Sequence, residues 1–159
     1  MDRVMVIGGP GSGKTWLAKE LARCTGLPVI AIDDLVHDAA GQQRPPARID
    51  ADARAAADSS RWIIEGGNSR TYDYRAQRAN CIVLLQPPLW KRLWRVWRRD
   101  GWNRPMLLWT WRYDRVFGPR DRAALAGAPD TVRKVVLVCG TGTVLASFAQ
   151  PAPPHRPSA

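Results

Sequence analysis

A chain of 159 residues, 45% of them hydrophobic, has apolar material for one compact domain and is too short for two. Its 24% charged content excludes a disordered acidic or basic tail protein, and no apolar run approaches the roughly 18 residues of a membrane span. The net charge of +10 rests on 24 Lys and Arg, of which 20 are Arg, and points to an anionic partner.

Residues 3–7 read as a short, wholly apolar strand that ends in glycines, with no signal or transit peptide ahead of it. A helix is expected from Gly13 or Lys14 to Thr25, since Leu17, Leu21 and Cys24 recur at helical spacing; Gly26 and Pro28 stop it. Residues 29–32 form a second strand ended by Asp33 and Asp34, and an Ala-rich helix follows near 50–60. Residues 62–64 are a third strand ended by Glu65, Gly66 and Gly67, and 72–79 a short helix. Residues 81–85 are a fourth strand stopped by Pro87 and Pro88; helices are expected over 89–99 and 106–117. A fifth strand falls at 135–138, a last short helix at 144–148, and a Pro-rich disordered tail at 150–159. Strands alternating with helices imply right-handed crossovers and a parallel α/β sheet with helices on both faces, a single domain over 1–149. Ligands gather at the carboxyl ends of such strands, where Gly8 to Thr15, Asp33–Asp34 and Glu65 fall. Cys24, Cys81 and Cys139 are far apart and form no CxxC, so they read as small buried residues of a reducing, cytoplasmic compartment.

Gly8, Gly9, Pro10, Gly11, Ser12, Gly13, Lys14 and Thr15 satisfy GxxxxGK[ST] between a strand and a helix. Glycines let backbone N–H groups wrap phosphate oxygens, and the helix N-terminus adds partial positive charge. Lys14 supplies a point charge to the β and γ phosphates, and Thr15 a hydroxyl for Mg²⁺. A carboxylate ending a neighbouring strand can hold the metal or orient an acceptor hydroxyl, a role open to Asp33, Asp34 and Glu65. One of the two aspartates can equally cap the segment that follows.

Between positions 91 and 122, ten basic residues face three acidic ones, and six of the eight tryptophans (Trp90, Trp94, Trp97, Trp102, Trp109, Trp111) lie at 90–111. Three arrangements fit this pattern. One is a phosphate-clamping lid. The second is a nucleic-acid surface in which arginines meet phosphates and rings stack on bases. The third is a pair of amphipathic helices with Trp and Leu inward and Arg outward.

On residues 8–15, on Pro28 to Leu35, on Trp62-Ile63-Ile64-Glu65-Gly66, on 68–78, on Ile82 to Leu85 with Gln86-Pro87-Pro88, and on Leu93-Trp94-Arg95-Val96 with Arg98-Arg99, the chain resembles the DNA topology modulation protein family of adenylate-kinase-like P-loop nucleotide kinases. The resemblance covers about 3–148. It implies a three-layer P-loop kinase fold, with sheet order 2-3-1-4-5 and a helical lid at about 100–122. It also implies ATP and Mg²⁺. Under it, Glu65 and Thr15 hold the metal and Arg70 contacts an acceptor phosphate near Asp34. Arg95 and Arg99, four apart on one helix face with Arg98 beside them, reach the triphosphate. Relatives commonly carry Asp at position 65, and many end the fourth strand with Asp where this chain has Gln86. The function expected is an ATP-dependent kinase transferring the γ-phosphoryl group to a nucleotide or other small acceptor, with Lys14, Arg95, Arg99 and Asp33 in catalytic roles. The alternatives are a nucleotide-dependent nucleic-acid-binding ATPase or switch acting through 90–122, and a small-metabolite kinase in which Asp33 orients a hydroxyl. No membrane partner is expected, and the sequence sets no oligomeric state.

Overall fold

Val4, Met5, Val6 and Ile7 are all buried, and a strand apolar on both faces belongs in the middle of a sheet covered from two sides. A computed structural model of the chain describes residues 1–38 and 40–138. In it β1 (Arg3–Gly8) is that central strand. β2 (Val29–Ala31), β3 (Trp62–Glu65), β4 (Cys81–Leu85) and β5 (Arg133–Leu137) complete a parallel sheet of order β2-β3-β1-β4-β5. This is the order and fold that the sequence implied. Register places Val6 beside Glu65 on one side and beside Val83 on the other.

Side chains alternate along each strand, so the core divides in two. Val4, Val6, Ile63, Cys81, Val83 and Leu85 face α1 (Lys14–Thr25) through Leu17, Ala18 and Leu21. Met5, Ile7, Trp62, Ile64, Ile82 and Leu84 face α2 (Pro46–Asp58), α3 (Tyr72–Arg78) and α6 (Gly118–Ala126). The Trp62 indole N–H finds its partner in the Ala57 carbonyl at 3.1 Å. α4 (Leu89–Asp100) and α5 (Arg104–Val116) pack on each other beyond β4. Among the described residues, no helix is long and apolar enough to cross a membrane.

Several expectations shift. β2 ends at Ala31, because Ile32–Leu35 tightens into a 3₁₀ turn. α6 was not foreseen: its buried positions are Gly118, Asp121 and Ala124, which give no apolar periodicity to read. It packs against the core face of the sheet, so 118–122 of the expected lid is anchored there. β5 begins two residues earlier than expected, at Arg133 and Lys134, whose polarity hid the strand. Cys81 is buried as expected, whereas Cys24 is exposed. Cys139, the helix expected at 144–148 and the tail at 150–159 lie outside the described residues.

The inward-Trp part of the amphipathic reading of 90–122 fails, while its outward arginines hold at every position but Arg92. All six tryptophans are exposed to a large degree, and Arg92 is a buried face residue of α4, 2% exposed. An arginine can hold such a position when its stem packs and its head is paired. Here Arg92 Nη2 donates to Asp114 of α5 at 2.7 Å.

Candidate active site

The turn from β1 into α1 is built to present N–H groups. Gly13 holds φ 96° at the helix start, and no side chain caps the first turn. The N–H groups that open α1 are therefore left for an anion. Three loop glycines are demanded by close approach: Gly8, at φ 141°, against the Leu85 carbonyl oxygen, and Gly9 and Gly11 against the helices. A Cβ on Gly9 would lie 2.8 Å from the Tyr113 ring, and one on Gly11, at φ 69°, would lie 2.5 Å from the Arg92 carbonyl oxygen. The loop is thus seated directly on α4 and α5.

A cleft of about 600 Å³ opens over this loop. Lys14, Thr15, Asp33, Arg95 and Arg99 converge on it, with Val96, Met106, Trp109 and Tyr113 as its apolar wall. Lys14 Nζ donates to the Gly9 carbonyl at 3.1 Å. Burial favours the neutral amine and lowers its pKa, while Glu65 and Asp33 oppose that shift. The Thr15 hydroxyl donates to Glu65 Oε1 at 2.8 Å, and Glu65 Oε2 is buried without a partner. Burial raises the Glu65 pKa, against the Thr15 hydrogen bond and the Lys14 charge. The Ser12 hydroxyl is also buried and unpartnered.

These orphaned atoms test the fit of Mg²⁺ and a triphosphate. A buried carboxylate oxygen and a hydroxyl on one side of a ring of N–H groups suit a hard cation bound to phosphate. The residues fit. Among the described residues there is no cluster of three or more His, Cys, Asp or Glu that could hold a metal by itself.

Arg95 Nη1 donates to the carbonyls of Gly11 at 3.3 Å and Ser12 at 3.2 Å, so its guanidinium already lies against the loop. Arg99 lines the same cleft, in an ion pair with Asp100 at 2.7 Å. Other expected site residues lie elsewhere. Arg98 does not line the cleft; it sits over the Trp94 ring, 5.4 Å from its centroid. Asp34 is exposed within the 3₁₀ turn and is outside the cleft lining. Arg70 pairs with Asp50 through two hydrogen bonds of 2.7 and 2.9 Å. It borders a separate depression with Ser69, Tyr72 and Arg120.

Arg92 and the aromatic wall were missed. Arg92 stands one turn before Arg95 and Val96, a spacing that could have placed it on the inner face. Tyr113 donates to the buried Asp121 carboxylate at 3.3 Å and stacks on Phe117, with Trp109 edge-on to both. Burial raises the Asp121 pKa, opposed by hydrogen bonds from Tyr72 and Tyr113.

No protein-family model matches this chain, and no curated protein matches it. Solved structures do. Shikimate kinase from Acinetobacter baumannii, in complex with shikimate, superposes with a TM-score of 0.64 at 15% identity, over 93% of this chain and 89% of that one. Shikimate kinase from Bacteroides thetaiotaomicron gives 0.64 at 14% identity, over 93% and 94%. A gluconokinase from Sinorhizobium meliloti 1021 gives 0.55 at 18% identity, over 93% and 89%. At these identities the likeness is one of fold.

Proposed function

We propose that this chain is a Mg²⁺-ATP-dependent phosphotransferase acting on a small acceptor. The reading rests on one arrangement: the Thr15–Glu65 pair, with a carboxylate oxygen left over, stands beside Lys14 on the glycine loop and under Arg95 and Arg99. Fold likeness to kinases of small polyols and sugar acids supports a compact, polar acceptor. The resemblance to adenylate-kinase-like proteins of the DNA topology modulation family makes nucleotides the other acceptor class.

In this reading the loop N–H groups and Lys14 hold the β and γ phosphates, and Thr15 and Glu65 hold the metal. Bound Mg²⁺ supplies charge neutralisation at the phosphates. Arg95 and Arg99 lie where negative charge spreads over the transferring group, so their contribution is positioning and electrostatics. The acceptor hydroxyl oxygen bonds to the γ-phosphorus as the bond from that atom to the β–γ bridging oxygen breaks. The electron pair leaves with ADP, and the hydroxyl proton passes to the Asp33 carboxylate. Met106, Trp109 and Tyr113 narrow the cleft and reduce the water that could compete as acceptor.

The test is to incubate the protein with Mg²⁺ and γ-labelled ATP, against nucleoside monophosphates, sugars and carboxylated polyols. Label on one of these acceptors is the expected result and names its class. Label found only as free phosphate contradicts the transferase reading and favours the ATPase or nucleic-acid-linked switch.

A further inference from the structure

α4 carries three distinct faces. Arg92 and Val96 point inward, Arg95 and Arg99 border the cleft, and Trp90, Trp94 and Trp97 form an exposed stripe. The turn to α5 adds Trp102, 82% exposed at the tip of the hairpin, and α5 adds the exposed Leu108 and Trp111. Leu93, Trp94, Trp97, Trp102 and Leu107 line a shallow groove of about 360 Å³ with no polar residue in its wall. Large exposed apolar side chains grouped on one face are the kind of surface that docks a partner.

Charge defines the partner. In 89–116 the only two carboxylates, Asp100 and Asp114, are taken by Arg99 and Arg92. Lys91, Arg98, Arg104, Arg112 and Arg115 are not among the ion pairs of the described residues. Lys91, Arg98 and Arg115 instead sit over the rings of Trp90, Trp94 and Trp111, at 5.7, 5.4 and 5.6 Å from the centroids. Three indoles therefore have one face covered by their own cations, which leaves less ring for base stacking. The groove also offers no polar group to hold a base edge. Association of two copies through this face would oppose like charges. Indoles paired with cations around an apolar groove suit the boundary between lipid headgroups and acyl chains.

We propose that the α4–α5 hairpin is a peripheral docking surface for an anionic lipid membrane: the groove around Trp94, Trp97 and Trp102 enters the headgroup boundary, and the basic side chains beside it meet lipid phosphates. This site is separate from the nucleotide cleft and stands whether or not the chain transfers phosphate.

Co-sedimentation of the full chain with vesicles of phosphatidylcholine and phosphatidylserine (three to one), and of phosphatidylcholine alone, tests it. Binding should be about tenfold or more stronger to the anionic vesicles, should fall as salt rises, and should shift tryptophan emission to the blue. The double variant Trp94→Ala/Trp102→Ala keeps the net charge and alters only exposed side chains. It should retain the wild-type melting temperature and bind the vesicles about tenfold or more weakly. Absence of binding to anionic vesicles, or equal binding by the double variant, overturns the proposal. So does capture of a single-stranded oligonucleotide, or dimerisation of the free protein, that the double variant abolishes while vesicles are ignored.

Discussion

The Thr15 hydroxyl, on the first turn of α1, donates a 2.8 Å hydrogen bond to Oε1 of Glu65 at the end of β3, and the other oxygen of that carboxylate is buried with nothing to accept from. β1 and β3 are adjacent in the sheet, so the helix start and the strand end arrive at one point.

Replacing Glu65 by Gln should raise the Mg²⁺ concentration needed for half-maximal ATP binding by about 10- to 100-fold. Titration of a fluorescent ATP analogue at varied Mg²⁺ reads this directly; an unchanged requirement would remove Glu65 from the metal site.

The same residue sets a pH dependence. Burial raises the folded-state pKa of Glu65, so the folded protein binds more protons than the unfolded chain just above the ordinary carboxylate range. Stability without nucleotide should therefore fall as pH rises from the ordinary carboxylate value through the raised one. Glu65→Gln should reduce that slope, leaving the share of Asp121, which is raised in the same direction. Chemical denaturation at a series of pH values checks the sign, and a slope unaltered by the substitution would refute it.

Gly9→Ala should separate the loop from the helices. Its new Cβ would fall 2.3 Å from Arg92 Nη1 and 2.8 Å from the Tyr113 ring, both on buried residues that cannot swing away freely. Overpacking of this kind destabilises by about 1–3 kcal/mol. A melting temperature equal to the wild type would mean that α4 does not clamp the loop.

Arg95 and Arg98 provide an internal comparison. Arg95 lies on the loop carbonyls, and Arg98 lies over Trp94 on the outer face. Arg95→Ala should lower kcat by about 10²–10³, the scale of losing one preorganised charge donor. Arg98→Ala should leave kcat within about twofold, the scatter of a surface change. Equal losses in steady-state kinetics would place both guanidiniums on the nucleotide.

What the sequence made legible follows from how local each signal is. β1, the glycine loop and α1 could be read because an apolar run, eight consecutive loop residues and a capped helix stop need no distant partner. Arg95 and Arg99 were singled out by the resemblance, and their four-residue spacing adds only that they share one helix face. α6 could not, because it buries Gly118, Asp121 and Ala124 against α3 and the sheet rather than an apolar stripe. The outward tryptophans and inward Arg92 of α4 were equally hidden. The buried Arg92 is paired by Asp114, 22 residues away in α5, a partner that no local pattern announces. Arg70 was placed by resemblance at the acceptor, and its position follows from Asp50, a residue whose pairing no local pattern announces.

The most direct test of the account is transfer of γ-label in single turnover by the wild type and by Lys14→Ala, side by side, with Mg²⁺ and the acceptor found by the panel. Lys14 sits at the loop beside Glu65 and Asp33. The account predicts label on the acceptor with the wild type, and a loss of about 10³-fold or more in rate with the variant. Transfer by Lys14→Ala at the wild-type rate would contradict it.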